Sequence, residues 1–204
     1  MENTPWAERD RVSILSFGGL TPGGSTPGGL TPQLICARNC RGPQAQSKLS
    51  ALRASGATPL YDALMQATEL LRQTRDPESR SAMVLFSDGH DTVSIHSLPE
   101  VLLAAQNLQS AIYALNTRPA KSAAAKGDAV LYWLAADSGG LSFDPGQNVK
   151  AVLQTVLDDL RSGYVLTYEA PVRSSGQHSV RILPTGNPQL HFRSRSTYND
   201  SGVE

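Results

Sequence analysis

The sequence is poor in charged and aromatic residues, and its charges are balanced. Charged residues make up 18% of the chain and aromatic residues 6%, and 18 basic residues offset 18 acidic ones. A chain without a basic excess lacks the electrostatic character of nucleic-acid-binding proteins, and nothing draws it to anionic membranes. It also lacks any apolar run near the roughly 20 residues that cross a bilayer. We therefore expect no nucleic-acid partner and no membrane insertion.

Cysteine and metal-ligand patterns are also scarce. Cys36 and Cys40 are the two cysteines, too few for a disulfide framework or a closed zinc site, and we predict that they are free thiols. The four histidines have no metal-ligand spacing. His90, two residues past Asp88, could reach the same sheet edge as that carboxylate, but we interpret it as a solvated loop histidine.

Hydrophobic periodicity predicts an α/β fold in which strands and helices alternate. Predicted strands cover residues 11–17, 82–86, 110–115 and 141–143, and predicted helices cover 44–54, 59–73, 98–108, 128–137 and 149–160. Three alternating segments follow, at 163–169, 178–183 and 189–195, and the last two are predicted to form an antiparallel hairpin. We therefore expect a mostly parallel sheet with helices on both faces and antiparallel strands at the C-terminus. Residues 18–32, built from three GG(L/S)TP units, are predicted to be a flexible surface loop.

Two segments carry the candidate site. Residues 81–92 read SAMVLFSDGHDT, an apolar run typical of a strand buried on both faces, which ends in Asp88. The carboxyl edge of an open α/β sheet is where ligands bind, although Asp-Gly is also a common turn pair. The second segment is GATPLYDAL, in which Thr58 is at an N-cap position and Pro59 at the first helical position.

The motifs DRVSILSF, GATPLYDAL, MVLFSDGHDT, AIYAL, LAADSGG and GYVLTYEAP occur in that order. Together they resemble a von Willebrand factor type A (VWA) domain, over residues 10–198, and in particular the VWFA-related bacterial type abundant in acidobacteria. The resemblance implies a three-layer Rossmann-like fold. It divides the chain into a single VWA-like domain at 1–198, with the repeat loop at 18–32, and a tail at 199–204.

The resemblance also implies a metal-ion-dependent adhesion site. Such domains hold Mg²⁺ with an Asp-x-Ser-x-Ser motif, a threonine and an aspartate, and an acidic residue of a protein partner completes the shell. The last two ligands correspond to Thr58 and Asp88, but the chain contains no Asp-x-Ser-x-Ser. Mg²⁺ requires about six hard oxygens. We therefore expect these two residual ligands to hold it poorly unless the missing motif is supplied.

That motif would stand upstream of the DRV strand, yet only nine residues precede Asp10. The resemblance thus implies that the first strand, central in the sheet order 3-2-1-4-5-6, is missing, and that edges are exposed at residues 11–17 and 82–87. As given, with a polar N-terminus that lacks a signal peptide's apolar core, the chain is expected in the cytoplasm. If the true N-terminus lies upstream of Met1, a secreted or periplasmic location is expected instead.

Two function classes remain open. The first is a non-catalytic protein-binding module with an incomplete metal site and an unidentified protein partner. The second is an α/β hydrolase-like enzyme that uses Asp88, His90 or Asp91 with Ser87. The chain contains no Gly-x-Ser-x-Gly elbow, phosphate loop or Gly-x-Gly-x-x-Gly motif, so the binding module is the preferred interpretation.

Overall fold

The centre of the molecule is a three-stranded parallel sheet with helices on both faces. The computed structural model describes residues 7, 10–18, 32–38, 40, 42–52, 56–74, 76, 78–120, 126–168, 176–187, 189–190 and 192–200. In chain order the elements are β1 (Ile14–Ser16), β2 (Gln33–Cys36), α1 (Gly42–Ser50), α2 (Leu60–Gln73), β3 (Ala82–Ser87), α3 (Leu98–Leu108), β4 (Ala111–Asn116), α4 (Lys126–Ser138), β5 (Ser142–Phe143), α5 (Val149–Ser162), β6 (Gly176–Ser179) and β7 (Thr197–Asp200). Most of the repeat loop, residues 19–31, lies outside the described residues.

The central sheet has the strand order β3-β4-β5. β3 and β4 are parallel and in register from Ala82 opposite Ala111 to Ser87 opposite Asn116. Their carboxyl ends therefore lie side by side. The predicted α/β class is confirmed at this level, as are the positions of the first four predicted strands and of all five predicted helices.

Two apolar clusters separate the layers. On one face, α2, α3 and α4 cover the inward side chains of β3 and β4, with Leu60, Val101 and Leu134 fully buried in this cluster. On the other face α5 packs through Val152 and Val156 against alternate β4 side chains. The strict alternation of β4 side chains between the two clusters is what a strand covered on both sides requires.

β3 is less buried than predicted. Met83 and Leu85 are buried, but Phe86, which faces the α5 side of the sheet, is 43% exposed. The prediction of burial on both faces is therefore wrong at the carboxyl end of the strand. In the described part of the chain β3 pairs with β4 on one side only, which leaves its other edge without a ladder.

β1 pairs with a strand that the sequence did not predict. It runs antiparallel to β2, and Cys40 N donates a hydrogen bond to Val12 O beyond the end of that ladder. Cys36 and Cys40 form a disulfide with a Cα–Cα separation of 5.6 Å, so the prediction of free thiols is wrong. The pairing of β1 with β2 and the turn after β2 bring the two thiols within bonding range, a relationship that the four-residue spacing alone does not reveal.

The C-terminal strands form an antiparallel pair, but the second strand lies after the segment that was predicted to form it. β6 pairs with β7, His178 lying opposite Tyr198, and their rings stack with centroids 5.1 Å apart. Residues 163–168 and the described part of 189–195 are not strands, which corrects both predictions. Side chains explain the second correction: Arg193 binds Asp159 and Arg195 binds the Gln106 carbonyl, so this stretch runs across helix ends instead of pairing.

Residues 163–168 follow the end of α5 and form an extended, exposed segment. Arg80 Nη2 donates to the Gly163 carbonyl at 2.5 Å, which fixes the start of the segment, while Tyr164 is 93% exposed. Alternating apolar residues are compatible with a strand but cannot supply the neighbouring ladder that a strand needs. None of the helices described is long and apolar enough to cross a membrane. β7 ends at Asp200, within the segment predicted as a tail.

Candidate functional site

Thr58 and Asp88 line the same open depression at the carboxyl edge of the sheet. Its volume is about 310 Å³, and its lining residues are Leu15, Ser16, Phe17, Thr58, Phe86, Ser87, Asp88 and Thr117. They come from β1, from the residues that precede α2, and from the ends of β3 and β4. The depression therefore lies in the space between β1 and the unpaired edge of β3.

Asp88 forms a local turn and is also exposed in the depression. Its Oδ1 accepts a hydrogen bond from His90 N at 3.1 Å, and its Oδ2 lies 3.5 Å from His90 Nδ1. Both side chains are 50% exposed. The first contact is a typical Asx turn, so the turn and site interpretations of Asp88 hold together. A half-exposed carboxylate retains lone pairs that an incoming cation or donor can use.

Ser87 and Thr117 connect the ends of β3 and β4. Thr117 N donates to the Ser87 carbonyl at 3.0 Å, which continues the parallel ladder by one residue. Ser87 Oγ, on a buried side chain, accepts from Gly89 N at 3.1 Å. Thr117 and Ser16 line the depression but were missed by sequence reasoning. Thr117 follows the end of a predicted strand, as Asp88 does, and this position could have identified it.

The turn after β3 packs directly against the start of α4. Gly89 has φ +81°, and a Cβ built on it would lie 2.1 Å from the Gly127 carbonyl oxygen. A Cβ on Gly127 would in turn lie 2.1 Å from the Asp88 carbonyl oxygen. Two backbones approach this closely only where neither residue has a side chain. This contact fixes the position of Asp88 relative to α4.

The loop after β3 also caps α2. Asp91 Oδ1 accepts hydrogen bonds from Leu60 N at 2.8 Å and Tyr61 N at 3.4 Å, and Ser94 Oγ accepts from Tyr61 N at 3.1 Å. Asp91 Oδ2 also accepts from Ser94 N at 3.2 Å, so Asp91 caps its own turn as well. The capping role predicted for Thr58 is therefore wrong, because Asp91 reaches the first-turn N–H groups from another part of the chain.

Thr58 is held by backbone and side-chain hydrogen bonds to Thr92. Thr58 N donates to Thr92 Oγ1 at 2.7 Å, and Thr92 N donates to the Thr58 carbonyl at 3.0 Å. These bonds use the Thr58 backbone, and within the described part of the chain no hydrogen bond occupies its hydroxyl. The two segments that carry the predicted ligands are thus fixed to each other.

Asp62 completes this connection from the α2 side. Its carboxylate accepts from Ile95 N and His96 N, and from His96 Nδ1 at 2.7 Å. Desolvation alone would raise the pKa of Asp62, but the hydrogen bonds from His96 and Ile95 outweigh it and lower that pKa below its ordinary value. Asp62 and Asp91 therefore fasten the same loop to the same helix from opposite directions.

A second polar cluster, formed by Asn116, Arg118 and Asp128, follows β4. Asp128 accepts from Asn116 Nδ2 at 2.6 Å and forms an ion pair with Arg118 at 2.9 Å. Arg118 and Asp128 are mostly buried, and their charges compensate each other. Sequence reasoning missed this cluster. Asp128 is held in this cluster, so the carboxylate that faces the depression is that of Asp88 and not that of Asp128.

The donor set of the depression suits a hard cation only in part. It contains one carboxylate, that of Asp88, and the hydroxyls of Ser16, Thr58, Ser87 and Thr117. These are the oxygen types that Mg²⁺ selects, but neutral hydroxyls bind it weakly and a single carboxylate provides little charge. Among the described residues no group of three or more His, Cys, Asp or Glu side chains could hold a metal ion.

Comparisons with known proteins show no family and include a weak structural likeness. No family model matches the chain, and no curated protein matches it. The chain is similar to the crystal structure of an uncharacterized membrane spanning protein from Vibrio fischeri, with 16% sequence identity and a TM-score of 0.34, over 76% of this chain and 77% of that one.

Proposed function

We propose that the chain is a non-catalytic VWA-like protein-binding module with an incomplete metal-ion-dependent adhesion site. The observation that carries the proposal is that Thr58 and Asp88, far apart in sequence, line one depression at the carboxyl edge of a parallel sheet. That edge is where α/β folds bind ligands. The partner is a protein that places an acidic residue at the depression.

The gap beside β3 supports the same proposal. β3 pairs with β4 alone, β1 pairs with β2, and the depression separates residues of β1 from residues of β3 in the described part of the chain. An added strand that ran along the free edge of β3 would satisfy its N–H and C=O groups. Its carboxyl end would reach the depression, where an Asp-x-Ser-x-Ser would supply the ligands that this chain lacks.

The contacts of Ser87 favour binding over hydrolysis. In the alternative, an α/β hydrolase-like enzyme, Ser87 would need a base within about 3.2 Å of its hydroxyl. The Ser87 hydroxyl instead accepts a hydrogen bond from Gly89 N, while the ring of His90 lies beside Asp88. Asp91 is occupied by the first turn of α2. Each candidate catalytic group therefore has a structural partner.

The disulfide bears on location. Disulfides persist in oxidising compartments and are rare in the cytosol. The Cys36–Cys40 bond therefore supports a secreted or periplasmic location, the one expected if the true N-terminus lies upstream of Met1.

Calorimetric titration with MgCl₂ and MnCl₂ tests the metal site. The chain as it exists should show no micromolar site. The same chain, extended at its N-terminus by a strand that ends in Asp-x-Ser-x-Ser, should gain one that Asp88→Ala abolishes. Asp144→Ala, a change at an exposed loop aspartate, is the matched control and should leave binding intact. A micromolar site in the unextended chain that Asp88→Ala abolishes would refute the incomplete site.

The partner and the enzyme alternative need separate measurements. A probe peptide, acetyl-Gly-Asp-Gly amide, should bind the Mn²⁺-loaded extended chain more tightly than acetyl-Gly-Asn-Gly amide. Equal affinities would remove the acidic-partner proposal. Turnover of an ester or phosphate panel that is lost in both Asp88→Ala and His90→Ala would favour the hydrolase instead.

A further inference from the structure

A second cleft lies between the outer surfaces of α3 and α4 and the β6–β7 pair. Its volume is about 390 Å³, and its lining residues are Leu98, Pro99, Leu102, Leu103, Gln106, Trp133, Asp137, Gln177, Ser196 and Thr197. None of these residues lines the Thr58–Asp88 depression. The volume is within the range of small-ligand sites, roughly 300–1,000 Å³. This cleft, called the α3–α4 cleft below, is independent of the proposed adhesion site.

Gln106 gives the α3–α4 cleft an unpaired hydrogen-bond acceptor. The residue is 6% exposed, and its side-chain Oε1 is buried without a partner among the residues that the structure describes. Burial of an acceptor without a hydrogen-bond partner costs roughly 1–3 kcal/mol of stability. Buried acceptors therefore usually have a donor as partner. Because Gln106 lines the cleft, a ligand in the cleft can supply that donor once the carboxamide turns toward it.

Trp133 and Asp137 add a cation-binding pair. They are four residues apart on α4, which places both on one helix face. Trp133 is 51% exposed, so its ring is open to a ligand. Asp137 accepts from Ser196 Oγ at 3.2 Å, and among the described residues no Lys, Arg or His lies within ion-pair distance of it. An indole face and a carboxylate without a cationic partner both attract a positive charge.

The α3 wall of the cleft is mainly aliphatic, the β6–β7 wall is polar, and one cation lies nearby. Leu98, Leu102 and Leu103 line the α3 side of the cleft. Arg195 Nη1 donates to the Gln106 backbone carbonyl at 3.4 Å, but Arg195 is not a lining residue. The cleft therefore combines a hydrocarbon wall and an aromatic ring with the Gln106 amide oxygen and the negatively charged carboxylate of Asp137, and the polar side chains of Gln177, Ser196 and Thr197 line its β6–β7 side.

We propose that the α3–α4 cleft binds a primary alkylammonium group, either of a free amine or of a lysine side chain. The methylene chain packs on the leucines, and the ammonium group is held between the ring of Trp133 and the carboxylate of Asp137. It donates a hydrogen bond to Gln106 Oε1. A primary ammonium has three N–H donors, enough for both acceptors.

Fluorescence titration of Trp133 with n-hexylammonium chloride tests this proposal. Trp6 and Trp133 are the only two tryptophans, so Trp6→Phe leaves Trp133 as the single reporter. We expect saturable binding of n-hexylammonium, and binding of 1-hexanol weaker by roughly tenfold, because the alcohol has the same chain without the charge. Asp137→Asn should also weaken n-hexylammonium binding by roughly tenfold.

Asp158→Asn, at an exposed position of α5, is the matched control and should leave the affinity unchanged. Gln106→Leu removes the acceptor, and it should weaken binding while the melting temperature stays the same or rises. If Gln106→Leu unfolds the protein, Asp137→Asn at the less buried position still decides the test.

Equal affinities for hexanol and hexylammonium, or no saturable signal, would overturn the proposal. A tripeptide, acetyl-Gly-Lys-Gly amide, that binds more tightly than n-hexylammonium identifies a protein lysine as the source, and weaker binding identifies a free amine.

Discussion

Gly89 and Gly127 meet backbone to backbone, so that the turn carrying Asp88 rests on the first turn of α4. A Cβ on Gly127 would lie 2.1 Å from the Asp88 carbonyl oxygen and 3.0 Å from the Gly89 carbonyl carbon. Backbone atoms cannot move aside as a flexible side chain can. The place of the candidate site therefore depends on the absence of a methyl group on a neighbouring helix.

Gly127→Ala should destabilise the protein by roughly 1–3 kcal/mol, the usual cost of overpacking. In an open helix position the same change normally stabilises by up to about 1 kcal/mol. The sign of the change in the free energy of unfolding, measured with urea, therefore shows whether the close backbone contact at Gly127 or the higher helix propensity of alanine dominates. Gly186→Ala is the control, because nothing lies within 4 Å of a Cβ there. A stabilised Gly127→Ala variant would contradict the close approach.

Asp91→Ala should cost roughly 1–2 kcal/mol of stability, because it removes the cap of α2. Leu60 N and Tyr61 N would lose their side-chain acceptor. Asp91→Asn, which keeps an acceptor oxygen, should cost less. Thermal unfolding of both variants and of Asp144→Ala provides the comparison. If Asp91→Ala and Asp144→Ala melt at the same temperature, Asp91 does not cap the helix.

Asp62 should contribute to acid sensitivity. Its pKa is lowered in the folded state, so its stabilising contribution is fully present above the unfolded pKa, about 3.9, and is lost as the pH falls through the folded value. The stability difference between the wild type and Asp62→Asn should therefore shrink as the pH falls from about 5 to about 2. Urea unfolding at a series of pH values measures it. A difference that is constant across this range would exclude Asp62 as the titrating group.

Tyr113 should contribute to alkaline sensitivity. Burial, and then its hydrogen bond to Asp159, raise the pKa of Tyr113 well above its ordinary value of 10.0. A raised pKa means stability that is present below the unfolded pKa and lost as the pH rises beyond it. In absorbance titration Tyr113 should contribute to a late component, together with Tyr61, whose pKa is also raised by burial and by the nearby charge of Asp91. Tyr113→Phe should reduce this late component; a late component of unchanged size in this variant would contradict the assignment.

Excision of two of the three GG(L/S)TP units should change stability by roughly 1 kcal/mol or less, because loop-closure entropy depends weakly on length. The repeats lie mostly outside the described residues, so this stays a prediction from composition. Chemical unfolding of the shortened chain is the measurement. A loss of several kcal/mol would show that the repeats pack against the domain.

Local signals predicted most of the helices and central strands. The bounds of α3 were predicted to the residue from hydrophobic periodicity, and in the structure its start has a Ser97–Glu100 capping box and its end a left-handed Gln109. Periodicity and capping both act within a few residues along the chain, so a local pattern is enough to locate such a helix. The same holds for β4, whose apolar residues serve both clusters.

Features that depend on distant partners were the ones missed. β2 has two exposed residues and little apolar pattern, and it exists because β1 offers it a ladder. The cap from Asp91 joins residues 31 positions apart in sequence. Thr58 and Asp88 were paired through the resemblance to VWA domains, whereas Ser16 lies at the same depression through an antiparallel pairing that no local pattern specified.

The cap on α2 also makes that helix a reporter of the depression. The amide protons of Leu60 and Tyr61 are held by Asp91, three residues beyond Asp88 on the same loop. A ligand that immobilises Asp88 must also immobilise this loop. The amide protons of Leu60 and Tyr61 should then exchange with deuterium more slowly. An occupant of the site can thus be detected at a helix terminus that it does not touch, before its identity is known.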